Sequence, residues 1–273
     1  MRAWIIGKHG LLARAMQKYL TIPYVATGKS EVDATSFQQV LTFALKEKPD
    51  WIINCSGYTA VDQAEDEREK AFLLNEHIPR ILSNTNIPVL HFSTDYVFDG
   101  LKGKPYTEAD SPHPLSVYGE SKLAGEKYGD IVLRISWLFS DDGPDFVSKM
   151  KQFFKEGRNL TIVDDQYGRP TYAKDVVEAA EALMRGDHRG VFHFANAGKT
   201  SWYEFAKHLP GAANISPVSS DEYPQKAPRP KYSVFSTEKI EKTLQFKIQS
   251  WHNTAPCTEF LSQAALASSE LLQ

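Results

Sequence analysis

The sequence predicts an α/β fold built on a doubly wound parallel sheet, with a smaller lobe toward the C-terminus. Three observations carry that expectation. Short apolar runs recur at residues 3–6, 24–26, 51–53, 89–92, 131–135 and 191–194, with helical stretches between them; strands that run parallel need such crossover connections. The first run passes directly into a glycine-rich turn and then a helical stretch ending near Tyr19. Beyond about residue 140 the rhythm loosens, and proline and glycine crowd the chain at Gly168-Arg169-Pro170, at Pro210-Gly211 and from Pro224 to Pro230.

Taken in order, the run at 3–6 opens the sheet and the run at 24–26 follows it. Residues 36–46 read as a crossover helix, with Phe37, Val40, Leu41, Ala44 and Leu45 on one stripe and Pro49 just past the end. The runs at 51–53, 89–92 and 131–135 complete the first two-thirds. Residues 1–140 are therefore expected to form the nucleotide-binding core, joined again by a later segment at about 190–200; residues 141–273 are expected to supply mostly the second lobe. In open α/β sheets a ligand lies beyond the carboxyl ends of the strands, so the residues that follow each strand are where function is sought.

Composition narrows the functional classes. The chain has 273 residues, 42% hydrophobic and 24% charged, which is ordinary globular composition and argues against disorder. A net charge of −3 gives no broad positive field, so nucleic acid is not an expected partner. No apolar run approaches the roughly 20 residues that span a bilayer, and the apolar start at Ala3 breaks at Gly7, too soon for a secretory segment. A cytoplasmic protein without a membrane partner is expected. Cys55 and Cys257 make neither a disulfide framework nor a ligand set and are read as structural thiols.

The turn after the first strand reads Gly7-Lys8-His9-Gly10-Leu11-Leu12-Ala13, a G-x-x-G-x-x-A pattern. Gly7 and Gly10 permit a tight turn and a close backbone approach, Ala13 is small enough for helix against strand, and the helix start offers N–H groups to a pyrophosphate. A carboxylate at the end of the second strand would bond the ribose 2′-OH of NAD, but Gly28-Lys29-Ser30 stands there. Lys29 and Ser30 can instead receive a 2′-phosphate, with Glu31 close by, so the cofactor is left as NADPH or NADH. Asp33 is either an adenine contact or a cap for the following helix.

Tyr118 and Lys122 stand four apart near the front of a helical stretch and so share one face. A phenol with a pKa of about 10 is a poor acid–base group at neutral pH, and a neighbouring ammonium is expected to lower that value. Lys122 can also hold a nicotinamide ribose. Thr94, at the carboxyl end of the run beginning at Val89, places a hydroxyl where it can donate to a substrate carbonyl.

Thr94, Tyr118 and Lys122, downstream of a glycine-rich first turn, resemble the extended, sugar-nucleotide branch of the short-chain dehydrogenase/reductases, a Rossmann-like class. The stretches Ser93-Thr94-Asp95-Tyr96-Val97-Phe98-Asp99-Gly100 and Pro114-Leu115-Ser116-Val117-Tyr118-Gly119-Glu120-Ser121-Lys122 are similar to those of the dTDP-4-dehydrorhamnose reductase family, as are Asn54 to Asp62, Arg134 to Trp137, Asp165 to Thr171 and Arg229-Pro230. That resemblance implies a reductase passing a hydride from NAD(P)H to the C4 ketone of dTDP-4-dehydro-L-rhamnose. It implies that Thr94, Tyr118 and Lys122 are catalytic. His9, Gly10, Leu11 and Leu12 would meet the pyrophosphate side, Asp33 and Ala34 the adenosine, and Ser56, Gly57 and Tyr58 the cofactor beyond the third strand. Val61, Asp95, Tyr96 and Trp137 would line the sugar site, with Gln166 and Arg229 on the smaller, substrate-binding lobe.

Departures from the family pattern are few. Ala13 replaces a third glycine, and Cys55-Ser56-Gly57 stands where alanines are common. Members that dimerise through magnesium carry an acidic residue two places after that third glycine, and here it is Ala15. No metal is carried over, nor the magnesium-bridged dimer; monomer and homodimer both stay open. Two other readings compete: a sugar-nucleotide epimerase or dehydratase of the same fold, both of which regenerate their NAD and of which the dehydratase would need an acidic pair absent from Thr94-Asp95-Tyr96, and a non-catalytic regulatory subunit resembling that of methionine adenosyltransferase.

Overall fold

The computed structural model describes residues 1–258. Its centre is a six-stranded sheet made of β1 (Ala3–Ile6), β2 (Tyr24–Thr27), β3 (Trp51–Asn54), β4 (Val89–Thr94), β5 (Ile131–Ile135) and, returning from far along the chain, β10 (Gly190–Phe194). The order is β10-β5-β4-β3-β1-β2 and every pairing is parallel. The apolar runs mark these strands to within two residues at each end, because strands covered on both faces are apolar almost without interruption. β1 is buried throughout, as are β3 and β4.

Side chains alternate between two cores. Ala3, Ile5, Trp51, Ile53, Leu90 and Phe92 face α1 (Leu11–Tyr19) and α8 (Ala173–Arg185), which supply Leu12, Met16, Val176, Val177 and Leu183. Trp4, Ile6, Ile52 and Val89 face the other way, onto Val40 and Ala44 of α2 (Phe37–Glu47) and Ile78, Ile81 and Leu82 of α5 (Ile78–Ser83). α2 is capped by Ser36, whose hydroxyl accepts from the Gln39 N–H. Between β3 and α5 lie two short helices, α3 (Val61–Ala64) and α4 (Arg68–Phe72), and a π-helical turn at Leu73–His77. α6 (Val117–Glu126) covers the β4 edge of that face.

The chain leaves the sheet after β5. The short β6 (Leu138–Phe139), α7 (Phe146–Lys155), β7 (Leu160–Val163), β8 (Tyr167–Gly168) and β9 (Thr171–Tyr172) precede α8, and β11 (Thr200–Ser201), α9 (Trp202–Lys207) and β12 (Ile215–Val218) follow β10. They pair in two-stranded sheets, β6 with β9, β7 with β12 and β8 with β11. Phe139, Val147, Met150, Phe154, Phe205 and Trp251 form a separate core there. α10 (Glu238–Leu244) then packs back on β10. Among the described residues no helix is long and apolar enough to cross a membrane.

Strand order reverses between β1 and β3, since β2 lies on one side of β1 while β3, β4 and β5 extend on the other. A crevice opens at such a point beyond the carboxyl ends. The turns after β1, β3 and β4 meet there.

Candidate active site

The glycine turn comes first. Gly7 has φ +85°, a left-handed value that favours glycine, and a Cβ there would stand 2.9 Å from the Ser56 nitrogen. β1 and β3 can thus bring their end turns together only with hydrogen at this position. Gly10 is the N-cap of α1 and no side chain caps that helix, so its first-turn N–H groups face the crevice without a protein acceptor from the cap residue.

The turn after β3 is held by two asparagines. Asn54 accepts from the Ser56 N–H at 3.1 Å and from the Ser56 hydroxyl at 2.5 Å. Asn75, fully buried in the π-helical turn, accepts from the Tyr58 N–H at 2.8 Å and donates to the Tyr58 carbonyl at 3.1 Å and the Ser121 hydroxyl at 2.9 Å. It therefore ties the third strand's turn to α6. Nothing in the sequence singles Asn75 out, because one asparagine in a helical stretch has no local signature; π-turns themselves often mark functional sites.

α6 carries Tyr118 and Lys122. Ser116 caps it, accepting from the Gly119 N–H at 3.2 Å. A Cβ on Gly119 would overlap the Tyr96 carbonyl and one on Gly125 the Asn75 carbonyl, so two glycines seat the helix directly on its neighbours. Thr94 ends β4 and caps the following turn, accepting from the Tyr96 N–H at 3.2 Å. Its hydroxyl donates to Asp95 at 3.2 Å, and Ser233 donates to the same carboxylate at 2.5 Å. The Tyr96 and Tyr118 rings meet edge to face, with centroids 5.7 Å apart.

Gly10, Leu11, Leu12, Ser56, Gly57, Thr94, Asp95, Tyr118, Lys122 and Trp137 line one cavity of about 370 Å³; Tyr96, behind Tyr118, is not among its lining residues. Burial dominates the cavity's electrostatics. The Lys122 ammonium is lowered to about 8 by burial, with Glu126 and Cys55 pulling the other way. Its Nζ donates to the Phe92 carbonyl at 2.5 Å. Burial pushes the Tyr118 phenol up to about 12, against the pull of the Thr94 hydroxyl. This differs from the expectation that the ammonium lowers the phenol: Lys122 is turned onto Phe92, and desolvation of the phenolate outweighs it. Burial also raises the Asp95 carboxyl to about 6, opposed by Ser233 and Thr94.

The other predicted residues fall in several places. The His9 ring lies against Gly28. Asp33 accepts from Thr35 N–H at 3.0 Å and Thr35 hydroxyl at 2.7 Å, while Ser36 is the helix cap. The Ala34 side chain packs into the core with Val32 and Val40. Tyr58 points its ring away from the cavity, its hydroxyl donating to Glu67 at 2.8 Å, so its backbone is what faces the β3 turn. Val61 opens α3 and is not among the residues lining the cavity. Trp137 adopts φ +46° and stacks on Trp202 at 3.7 Å between centroids; only a glycine at 168 leaves room for its ring.

Gln166 and Arg229 line a neighbouring cavity of about 350 Å³ with Phe146, Trp202 and Tyr223. Gln166 donates to Ser220 at 3.0 Å. Arg229 makes a two-pronged pair with Asp62, both bonds at 2.9 Å, and holds that carboxyl down at about 2. The pair ties the second lobe to α3, a partnership across 167 positions that no local pattern announces.

The sequence model of the RmlD substrate binding domain family matches residues 1–264. The chain belongs to the dTDP-4-dehydrorhamnose reductase family. Within it, the chain is similar to a dTDP-4-dehydrorhamnose reductase of Sinorhizobium fredii, 34% identical over 93% of this chain and 95% of that protein. The corresponding Escherichia coli enzyme is 35% identical over 75% of this chain and 77% of its own length. A crystal structure of the Bacillus anthracis dTDP-4-dehydrorhamnose reductase in complex with NADP superposes with a TM-score of 0.89, at 32% identity over 96% of this chain and 99% of that one. A UDP-glucose 4-epimerase of Thermus thermophilus, 17% identical with a TM-score of 0.76, shares the fold alone.

Proposed function

We propose that this family member reduces the C4 ketone of dTDP-4-dehydro-L-rhamnose with NADPH or NADH, giving dTDP-L-rhamnose. The observation that carries the reading is the convergence of Thr94, Tyr118 and Lys122 on one cavity whose opposite wall is the glycine turn. The residues fit a dinucleotide: Gly7 leaves a cradle that a Cβ would fill, and α1 presents an uncapped N-terminus. Gly10, Leu11 and Leu12 would hold the pyrophosphate, and Ser56 and Gly57 the portion beyond β3.

When bound, the reduced nicotinamide supplies the hydride. Tyr118 holds the proton: with its phenol near 12 it is fully protonated at neutral pH, and its Oη gives that proton to the ketone oxygen as the C4 carbon gains hydride. Thr94 Oγ1 steadies the same oxygen by donating to it. Lys122, its Nζ held on the Phe92 carbonyl, offers its remaining N–H groups to ribose hydroxyls. Val61, Asp95, Tyr96 and Trp137 are assigned to the sugar, and Gln166 and Arg229 to the nucleotide sugar's outer parts, on the second lobe that begins after residue 140. Asp33 and Ala34, with His9 and Tyr58, are assigned to the cofactor through their backbone positions.

We place the reaction in the cytoplasm, with the chain working as a monomer or a homodimer. The test is a spectrophotometric assay of NADPH and NADH oxidation with dTDP-4-dehydro-L-rhamnose generated in place. Turnover on that sugar and regeneration of oxidised dinucleotide in equal amounts are expected. No oxidation of either dinucleotide by any keto sugar would favour the regulatory-subunit reading.

A further inference from the structure

The end of β2 is where a dinucleotide-binding sheet distinguishes its two cofactors. A carboxylate there accepts a hydrogen bond from the adenosine ribose 2′-OH and repels a 2′-phosphate, whereas uncommitted cations attract the phosphate. In this chain the strand ends at Thr27 and the next residue, Gly28, has no side chain. The carboxylate arrives from three residues further on. Glu31 folds back so that its Oε2 accepts from the Gly28 N–H at 2.9 Å and from the Ser30 hydroxyl at 3.1 Å. Its Oε1 forms an ion pair with Lys8 of the glycine turn.

A Cβ on Gly28 would lie 3.3 Å from Glu31 Oε2 and 3.1 Å from the His9 ring. The carboxylate therefore covers the junction of the β2 end and the turn assigned to the pyrophosphate. Lys8 of the glycine turn is ion-paired with Glu31, whereas Lys29 adds only a weak pull at longer range to the Thr35 bonds that hold Asp33 ionised. With its ammonium engaged by Glu31, Lys8 is not available to a doubly charged phosphate. Lys8 and the Gly28 N–H keep Glu31 ionised, down at about 2, and a carboxylate with three donors retains acceptor capacity for one more.

We propose that Glu31 sets the dinucleotide choice of this chain: it receives the ribose 2′-OH of NADH and, by occupying Lys8, excludes the 2′-phosphate of NADPH. This rests on the dehydrogenase reading above and adds to it a preference that the Bacillus anthracis relative, crystallised with NADP, need not share. The residue types alone leave the matter open, since Lys29-Ser30 and Glu31 point in opposite directions until the side chain is seen to turn back.

The test is equilibrium titration of the whole protein with NADH and, separately, NADPH, read by nicotinamide fluorescence without any sugar. The wild type is expected to bind NADH at least about tenfold more tightly, the scale of one good charge contact. Glu31→Gln should shrink that ratio at least about tenfold, chiefly by tightening NADPH as Lys8 is released beside Lys29. Lys8→Met, which keeps the carboxylate and removes its counter-ion, should widen the ratio instead, and it tests the idea independently if the first variant folds poorly. Equal binding of the two dinucleotides by wild type, or an unchanged ratio in both variants, overturns the proposal. Failure of wild type to bind either one overturns the dehydrogenase reading and this inference with it.

Discussion

Replacing Lys122 with methionine should abolish turnover and yet make the protein harder to melt. Burial lowers the ammonium from an ordinary 10.5 to about 8. Each tenfold in that equilibrium corresponds to about 1.4 kcal/mol, so carrying the charge at pH 7 costs the folded chain about 3 kcal/mol. Methionine has similar length and no charge to desolvate, but it gives up the 2.5 Å bond from Nζ to the Phe92 carbonyl, worth about 1 kcal/mol. The net gain is about 2 kcal/mol, or roughly 4 °C or more in Tm for a chain of this size. The sign of the pH dependence follows from the lowered value. Between about 8 and 10.5 the unfolded wild type binds a proton that the folded one has released, so wild-type stability rises through that window and the difference between the two proteins closes. Calorimetry of dinucleotide-free protein at pH 7 and pH 10 reads both effects. A Lys122→Met variant that melts at or below the wild-type temperature at pH 7, or a gap that does not narrow at pH 10, refutes the reasoning.

Other outcomes follow from the same geometry. Tyr118→Phe should slow keto-sugar reduction by about 10²–10⁴-fold in a stopped assay while leaving Tm and dinucleotide affinity unchanged, because only the proton donor is lost. Gly7→Ala should weaken dinucleotide binding by about tenfold or more in fluorescence titration, since the φ of +85° and the 2.9 Å approach to Ser56 both resist a methyl group. Arg134→Met strands the buried Glu126 carboxylate, which it meets at 2.7 Å and 2.8 Å, and should cost about 3–5 kcal/mol in urea unfolding, largely restored by adding Glu126→Leu. Finally, kcat/KM for reduction should fall as pH rises through about 8, where free-enzyme Lys122 loses its charge, and a wild-type pH-rate profile on the keto sugar reads that limb directly.

Much of this was legible in the residues. Strands enclosed on both faces leave nearly unbroken apolar runs, which is why Ala3–Ile6 and Ile131–Ile135 stand out at their full length. The Tyr118–Lys122 spacing and the position of Thr94 are likewise readable from the chain, and the fold brings all three to one cavity. What stayed hidden depends on where side chains turn and on partners distant in the chain. The direction of the Tyr118 shift is one case, because spacing places an ammonium on the same face but cannot say that it bonds to Phe92. Glu31 folding back over Gly28 is another, and so are the Asp62–Arg229 pair and the bridging role of Asn75. Ala34 and Tyr58 show the reverse: the motif marks their positions, while the side chains belong to the core and to α4.

The two bare patches on α6, at Gly119 and Gly125, have a mechanical meaning. Carbonyls of the Tyr96 turn and of Asn75 sit in those notches like pins, six residues apart, so the helix can neither slide along its axis nor roll. Tyr118 and Lys122 are thereby bolted to the sheet, and the placement of the phenol and the ammonium is fixed before any ligand arrives. Adjustment to an incoming sugar nucleotide falls to parts such as the Gln225–Arg229 stretch, which reaches α3 and the residues just after it through the Arg229–Asp62 and Lys226–Asp66 ion pairs and two backbone bonds to Asp62.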